Sequence, residues 1–183
     1  MFETLALIVL SLFVFLGAAP GPIRIHDDQA SILACEELYR RGFKRWIWDC
    51  RRPCYEFLNT LNYKLCGFWA PGWHLVNIGL HVLSVLVLYS LLQRLGCLYA
   101  FWLACAFAVH PIQTASVCYI SGRSGILAGL FLFLGAWLYL GPLPWPFLSA
   151  VPFGLAYLSR EDSLVALTWL PVLEWFRFWP YGP

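Results

Sequence analysis

Charge is scarce in this chain. Lys and Arg number 12 and Asp and Glu 10 in 183 residues, 12% together, against roughly a quarter in soluble domains. With a net charge of +2 and no Lys/Arg run, the sequence offers no electrostatic footprint for nucleic acid. Basic residues are also missing ahead of the first apolar run. That run, 2–19, carries Glu3 and ends in Gly17-Ala18-Ala19. A cleaved secretory leader needs a basic start, so the run reads as a first membrane span. Cysteines are not arranged in two close pairs: Cys50 and Cys54 stand alone, with Cys35 and Cys66 distant. That argues against a four-cysteine zinc site. Two disulfides, in any of three pairings, or free thiols stay open for the four. Cys97, Cys105 and Cys118 fall in apolar runs and read as small core residues. No tetratricopeptide-type repeat is present.

What the chain does have is apolar and aromatic. Hydrophobic residues make up 61%, aromatic residues 18% with ten Trp, and mean hydropathy is +0.69. Trp at this density suits belts at the two faces of a bilayer. Apolar runs fall at 2–19, 73–92, 97–109, 124–140, 145–158 and 164–176. The first two and the fourth are near bilayer length. The third reaches it only by continuing through His110-Pro111 to 120. The last two are short enough to tilt, thin the bilayer or form a re-entrant hairpin. Pro142, Pro144 and Pro146 mark the turn before the fifth run. The fold expected is an all-α polytopic membrane bundle of about six helices, with four full spans as a floor. It divides into a first transmembrane helix (1–19), a polar loop (20–71) and a helical membrane bundle (72–183), which makes membrane lipids its first partners.

The loop 20–71 holds eight of the twelve basic residues and six of the ten acids. Within it Asp27 and Asp28 stand side by side at the exit of the first span. Adjacent carboxylates there can take a proton, hold a divalent metal, or, for Asp27, cap a helix starting at Gln29. Beyond 72 formal charge is confined to seven residues, and ionisable groups near membrane segments are commonly functional. Arg123 is either a phosphate-gripping cation or a snorkelling one. His110-Pro111 also reads as a helix end, and Arg160-Glu161 as an ion pair at a helix boundary.

Six short runs occur in order: Asp27-Asp28-Gln29-Ala30-Ser31-Ile32, Arg52-Pro53-Cys54-Tyr55-Glu56-Phe57-Leu58-Asn59-Thr60-Leu61-Asn62-Tyr63, and Gly72-Trp73-His74-Leu75-Val76-Asn77. Then come Val109-His110-Pro111-Ile112, Ile120-Ser121-Gly122-Arg123 and Leu158-Ser159-Arg160-Glu161. Their order and spacing resembles the amino-terminal membrane module of the tetratricopeptide-bearing O-mannosyltransferases and their bacterial relatives, in the GT-C class, over about residues 20–170. The resemblance implies sugar transfer from a polyprenyl-phosphate carrier, on the external or lumenal face. It implies an essential acid at Asp27 or Asp28, as base or metal ligand, and substrate contacts from Arg52, His110, Arg123, Arg160 and Glu161. Basic-residue counting would instead put the loop in the cytoplasm; we follow the resemblance.

Three departures from the pattern matter. Gln113-Thr114-Ala115 stands where the family commonly has His-Thr-Glu, Ser124-Gly125 where Ala-Asp is usual, and Ala34 where an Asn is usual. With the bundle read as ending near a sixth helix and no repeat domain present, two functions are expected: a minimal glycosyltransferase, or a non-catalytic subunit of a larger membrane complex. The aromatic run 175–181 suits an interfacial anchor or a docking surface.

Overall fold

A computed structural model describes residues 2–21, 28, 31–36, 51–141 and 146–178. Asp27, Cys50, Pro142 and Pro144 lie outside the described residues, as do 22–27, 29–30 and 37–50 of the polar loop. Every regular element among those described is helical. Helix α1 spans Phe2–Phe15 and runs on into a 3-10 turn, Leu16–Ala18. A short helical segment covers 31–36. Helix α2 is Pro53–Cys66, α3 Ala70–Arg94, α4 Ala100–Val109 and α5 Gln113–Val117. Then follow α6, Arg123–Tyr139, α7, Ala150–Ser159, and α8, Leu170–Phe178.

Helix α3 alone among them is long and apolar enough to cross a membrane; its 25 residues rise about 37 Å. The α1 region and α6 are shorter, at 17 residues each, and α4 and α7 shorter still. The third run does not continue as one helix. His110 takes an extended backbone, ψ 129°, because Pro111 crowds the helical conformation of the residue before it. The sixth run is also not one helix: Glu161–Trp169 is 3-10 and α8 follows. Pro171 lacks the N–H that would bond the carbonyl at 167, so the α ladder breaks there.

Helix α3 is the central post: α1, α4 and α6 pack on it, and α7 packs on the far side of α6. One core seam joins Leu7, Val85 and Tyr89 to Ala100, Ala104 and Ala108. The three alanines recur every four residues, so α4 presents a smooth strip that lets helices approach closely without a water-driven force. At the far end Arg94 caps the packing. Its Nη1 donates to the Trp137 carbonyl at 2.5 Å and its guanidinium lies 3.9 Å from the Trp137 ring centroid.

Outer faces are apolar. Phe13 is 84% exposed and Leu98 93%, with Phe2 and Trp102 also turned outward. A water-facing monomer rarely shows so continuous an apolar exterior. The seam generates a test. Ala104→Leu should lower stability by about 1–3 kcal/mol, the cost of overpacking a filled site, read as a drop in thermal midpoint in detergent. An unchanged midpoint would mean that α4 does not seat through this strip.

Candidate functional site

The Ser121-Gly122-Arg123 turn opens α6, and its glycine has a steric reason. A Cβ at Gly122 would run into the Ala115 carbonyl oxygen and stand 2.8 Å from the Ser116 Cα. Glycine lets this turn press against α5. That approach aims the two neighbours of Gly122 in useful directions. Ser121 N donates to Asp28 Oδ1 at 2.8 Å, while Arg123 turns inward.

Arg123 is 0% exposed. Its Nε donates to Asn77 Oδ1 at 2.6 Å, Nη1 to Asn59 Oδ1 at 2.8 Å and Nη2 to the Trp73 carbonyl at 2.9 Å. Asn62, with its amide oxygen turned to the guanidinium, accepts from Nη1 and Nη2 at 3.2 and 3.0 Å. A guanidinium has five N–H groups, and this arrangement occupies all five. The Trp73 ring adds a face 5.2 Å from the guanidinium carbon. Asn77 extends the network by donating to the carbonyls of Val117 and Tyr119 at 3.2 and 2.9 Å. Asn59, Asn62 and Asn77 were not singled out as site residues from the sequence. All three fall in the runs that carry the family resemblance, but that resemblance gave them no role.

Asp28 is 2% exposed. His74 is also buried, with both ring nitrogens without a hydrogen-bond partner. The imidazole faces the Gly21 backbone without a well-formed bond, and the charges of Asp28 and Arg123 both act on it. His81, seven residues on along α3, is a different case. Its Nε2 meets the Ala108 carbonyl at 3.1 Å and its ring lies between Phe15 and Phe107, so it is a satisfied core residue.

The remaining expected site residues sit elsewhere. Arg52 Nη2 pairs with Glu161 Oε2 at 3.6 Å, and Arg160 Nε with Asp162 Oδ2 at 3.0 Å. The sequence suggested a pair between Arg160 and Glu161; instead each takes another partner. Arg160 also reaches α6, its Nη1 3.4 Å from where a Cβ on Gly125 would stand. Gly125, Ser116, His81 and Gln113 line a cavity of about 170 Å³ between α3, α5 and α6. His110 lies apart on an exposed turn, its Nδ1 accepting from Ile112 N at 3.2 Å. Among the described residues no three His, Cys, Asp or Glu side chains are grouped to hold a metal ion. Cys54 and Cys66 are free thiols, so the pair of loop disulfides that the sequence left open is not formed; Cys50 lies outside the described residues.

On α2, Tyr55 donates its hydroxyl to Ser31 Oγ at 3.2 Å, and burial pushes the phenol up, away from ionisation. Burial also pushes the Glu56 carboxyl up, partly offset by the Arg52 cation.

The chain is similar to a protein O-mannosyl-transferase of Caenorhabditis elegans, 32% identical over 147 residues, which is 69% of this chain and 21% of that protein. A Drosophila melanogaster protein O-mannosyl-transferase is 32% identical over 139 residues, 66% of this chain and 15% of its own length. A human one is 42% identical over 92 residues, 48% of this chain and 10% of its own. The chain thus spans about a fifth of the length of the first of these relatives or less. No protein-family profile matches it, and no solved structure does. It is a partial relative of the protein O-mannosyl-transferases, as its motifs led us to expect.

Two outcomes follow from the geometry. Arg123→Lys replaces five directed donors by three on one nitrogen and leaves buried amide oxygens unpaired. It should cost about 2–4 kcal/mol of stability, measured by unfolding in detergent; a stable variant would mean the network is dispensable. Glu56 has a folded-state pKa above its unfolded one. It therefore favours the fold below the unfolded pKa and loses that contribution as pH rises through the raised value. Glu56→Gln should flatten the decline in melting temperature between acid and neutral pH; parallel curves for variant and wild type would refute this.

Proposed function

We propose that this chain carries the acceptor-activating part of a multi-pass membrane glycosyltransferase. It would move a sugar, mannose by analogy with the relatives' names, from a polyprenyl-phosphate donor to an acceptor hydroxyl. Asp28 is the observation that carries the reading. A carboxylate that is almost fully buried, fixed through one oxygen by the Ser121 N–H, keeps its second oxygen for a proton. His74, unpartnered and acted on by the Asp28 charge, is placed to receive that proton in turn. The acid Asp27 belongs to the same proposal but lies outside the described residues.

Transfer with inversion needs a base on the acceptor and cations on the departing phosphate, where negative charge builds. Arg123 is closed to that second task, since its donors are occupied inside the protein. Its part is to hold α2, α3 and the 117–123 turn around Asp28. Arg160 and Arg52 are better suited to the phosphate. Arg52 is 38% and Arg160 46% exposed, and their partners among the described residues, Glu161 and Asp162, are 49% and 70% exposed. Such pairs contribute about 0–1 kcal/mol, so a phosphate displaces their partners at small cost and gains a bidentate grip. The loop 20–71 faces the external or lumenal side in this scheme, and the apolar exteriors of α1, α4 and α7 face lipid.

A second reading rests on one observation: both Asp28 and Arg123 are enclosed. A non-catalytic subunit of a larger membrane complex would keep this network as a scaffold alone. The deciding experiment is Asp28→Asn, which preserves the oxygen that accepts from Ser121 N and hence the fold. Sugar transfer from a polyprenyl-phosphate donor to a hydroxylated acceptor peptide should fall by about 10²–10⁴-fold. Transfer at the wild-type rate would sink the catalytic reading. A stoichiometric protein partner retained in mild detergent, with no transfer by wild type, would install the second.

A further inference from the structure

Helix α2 is built inside out. Its inward face carries Tyr55, Asn59 and Asn62, all buried, and two of these serve Arg123. Its outward face carries Phe57, Leu61 and Leu65, spaced by four and 44%, 41% and 74% exposed. Phe68 and Trp69 continue that apolar surface past the helix end and are exposed as well. A helix of a water-soluble domain turns its apolar stripe to the core and its amides to solvent. Here the polarity is reversed, and the exposed stripe needs an apolar medium.

We propose that the outward face of α2 lies in the headgroup–acyl boundary of a bilayer containing anionic lipid. Its level is set by its neighbour. Gly67 ends α2 with a positive φ of 53°, and three residues later Ala70 begins α3, the one described helix able to cross a membrane. The first turn of a spanning helix stands at the boundary, so the end of α2 is held there too. A helix of this kind buries its apolar face about 5–10 Å into the interface, a depth that phenyl and leucyl side chains reach.

Charge selects the lipid. Over 51–69 the sequence has Arg51, Arg52 and Lys64 against Glu56, a net of three minus one, or +2. Arg51 and Lys64 are exposed. Lys64 follows Phe57 by seven residues and so shares the apolar face, where its stem lies on apolar surface and its ammonium rises to the headgroups. Trp69 supplies the amphipathic ring favoured at that depth. The consequence for the site is mechanical. A helix anchored in the boundary by one face presents Asn59 and Asn62 to Arg123 by the other, so the network is fixed relative to the membrane plane.

The test uses the full chain in nanodiscs of phosphatidylcholine with phosphatidylglycerol. The photoreactive residue p-benzoylphenylalanine is placed at position 57, 61 or 65, and at the exposed, charged position of Asp162 for comparison. Irradiation followed by mass spectrometry should find lipid adducts at the three α2 positions in several-fold higher yield than at 162. Lys64→Glu should reduce the phosphatidylglycerol share of those adducts. Lipid yields no higher than at 162 would overturn the proposal. Adducts at these positions to a second copy or another protein in place of lipid would overturn it equally.

Discussion

A guanidinium removed from water keeps its charge only if hydrogen bonds replace its hydration. Arg123 is wholly enclosed, and the replacement comes from three helices at once: Asn59 and Asn62 of α2, Asn77 and the Trp73 carbonyl of α3, and its own position at the head of α6. None of these elements can shift without leaving a charged donor or an amide oxygen unpaired. Asn77 passes the constraint on to the carbonyls of Val117 and Tyr119, and Ser121 passes it to Asp28. The placement of Asp28 is thus tied to the burial of Arg123 through the turn that carries Ser121.

This division separates two kinds of charge that composition alone would group together. Enclosed charge, at Arg123 and Asp28, is costly to disturb and sets geometry. Half-exposed charge, at Arg52, Arg160, Glu161 and Asp162, is loosely paired and cheap to rearrange. Arg160 lies against Gly125 of α6, the helix that begins at Arg123.

The same frugality with charge explains the rest of the bundle. Small residues on α4 and an approach of the Phe153 ring to Gly135 let helices meet closely. Several polar groups of the long helix are buried and satisfied, as at Asn77, His81 and Ser84. His74 differs from these: it is buried with both nitrogens unpartnered, and the charge of Asp28 acts on it.

The sequence by itself determined the class, since scarce charge and long apolar runs admit only helices that satisfy their own backbone. It also determined the kinship, because Asp28, the Trp73-to-Asn77 run and Ser121-Gly122-Arg123 keep a recognisable order. It marked the Pro111 break, which is a local steric effect. Tertiary structure alone decided the partners. Arg123 could equally have snorkelled or gripped a phosphate, and only the convergence of Asn59, Asn62 and Asn77, up to 64 residues away, closes it off. Arg160 and Glu161 are adjacent in sequence yet pair elsewhere, because the side chains leave the backbone in different directions. His74 gained its interest only when folding left its ring unpartnered under the charge of Asp28. Hydrophobic pattern is written along the chain, whereas the satisfaction of a buried charge is a property of the space between helices.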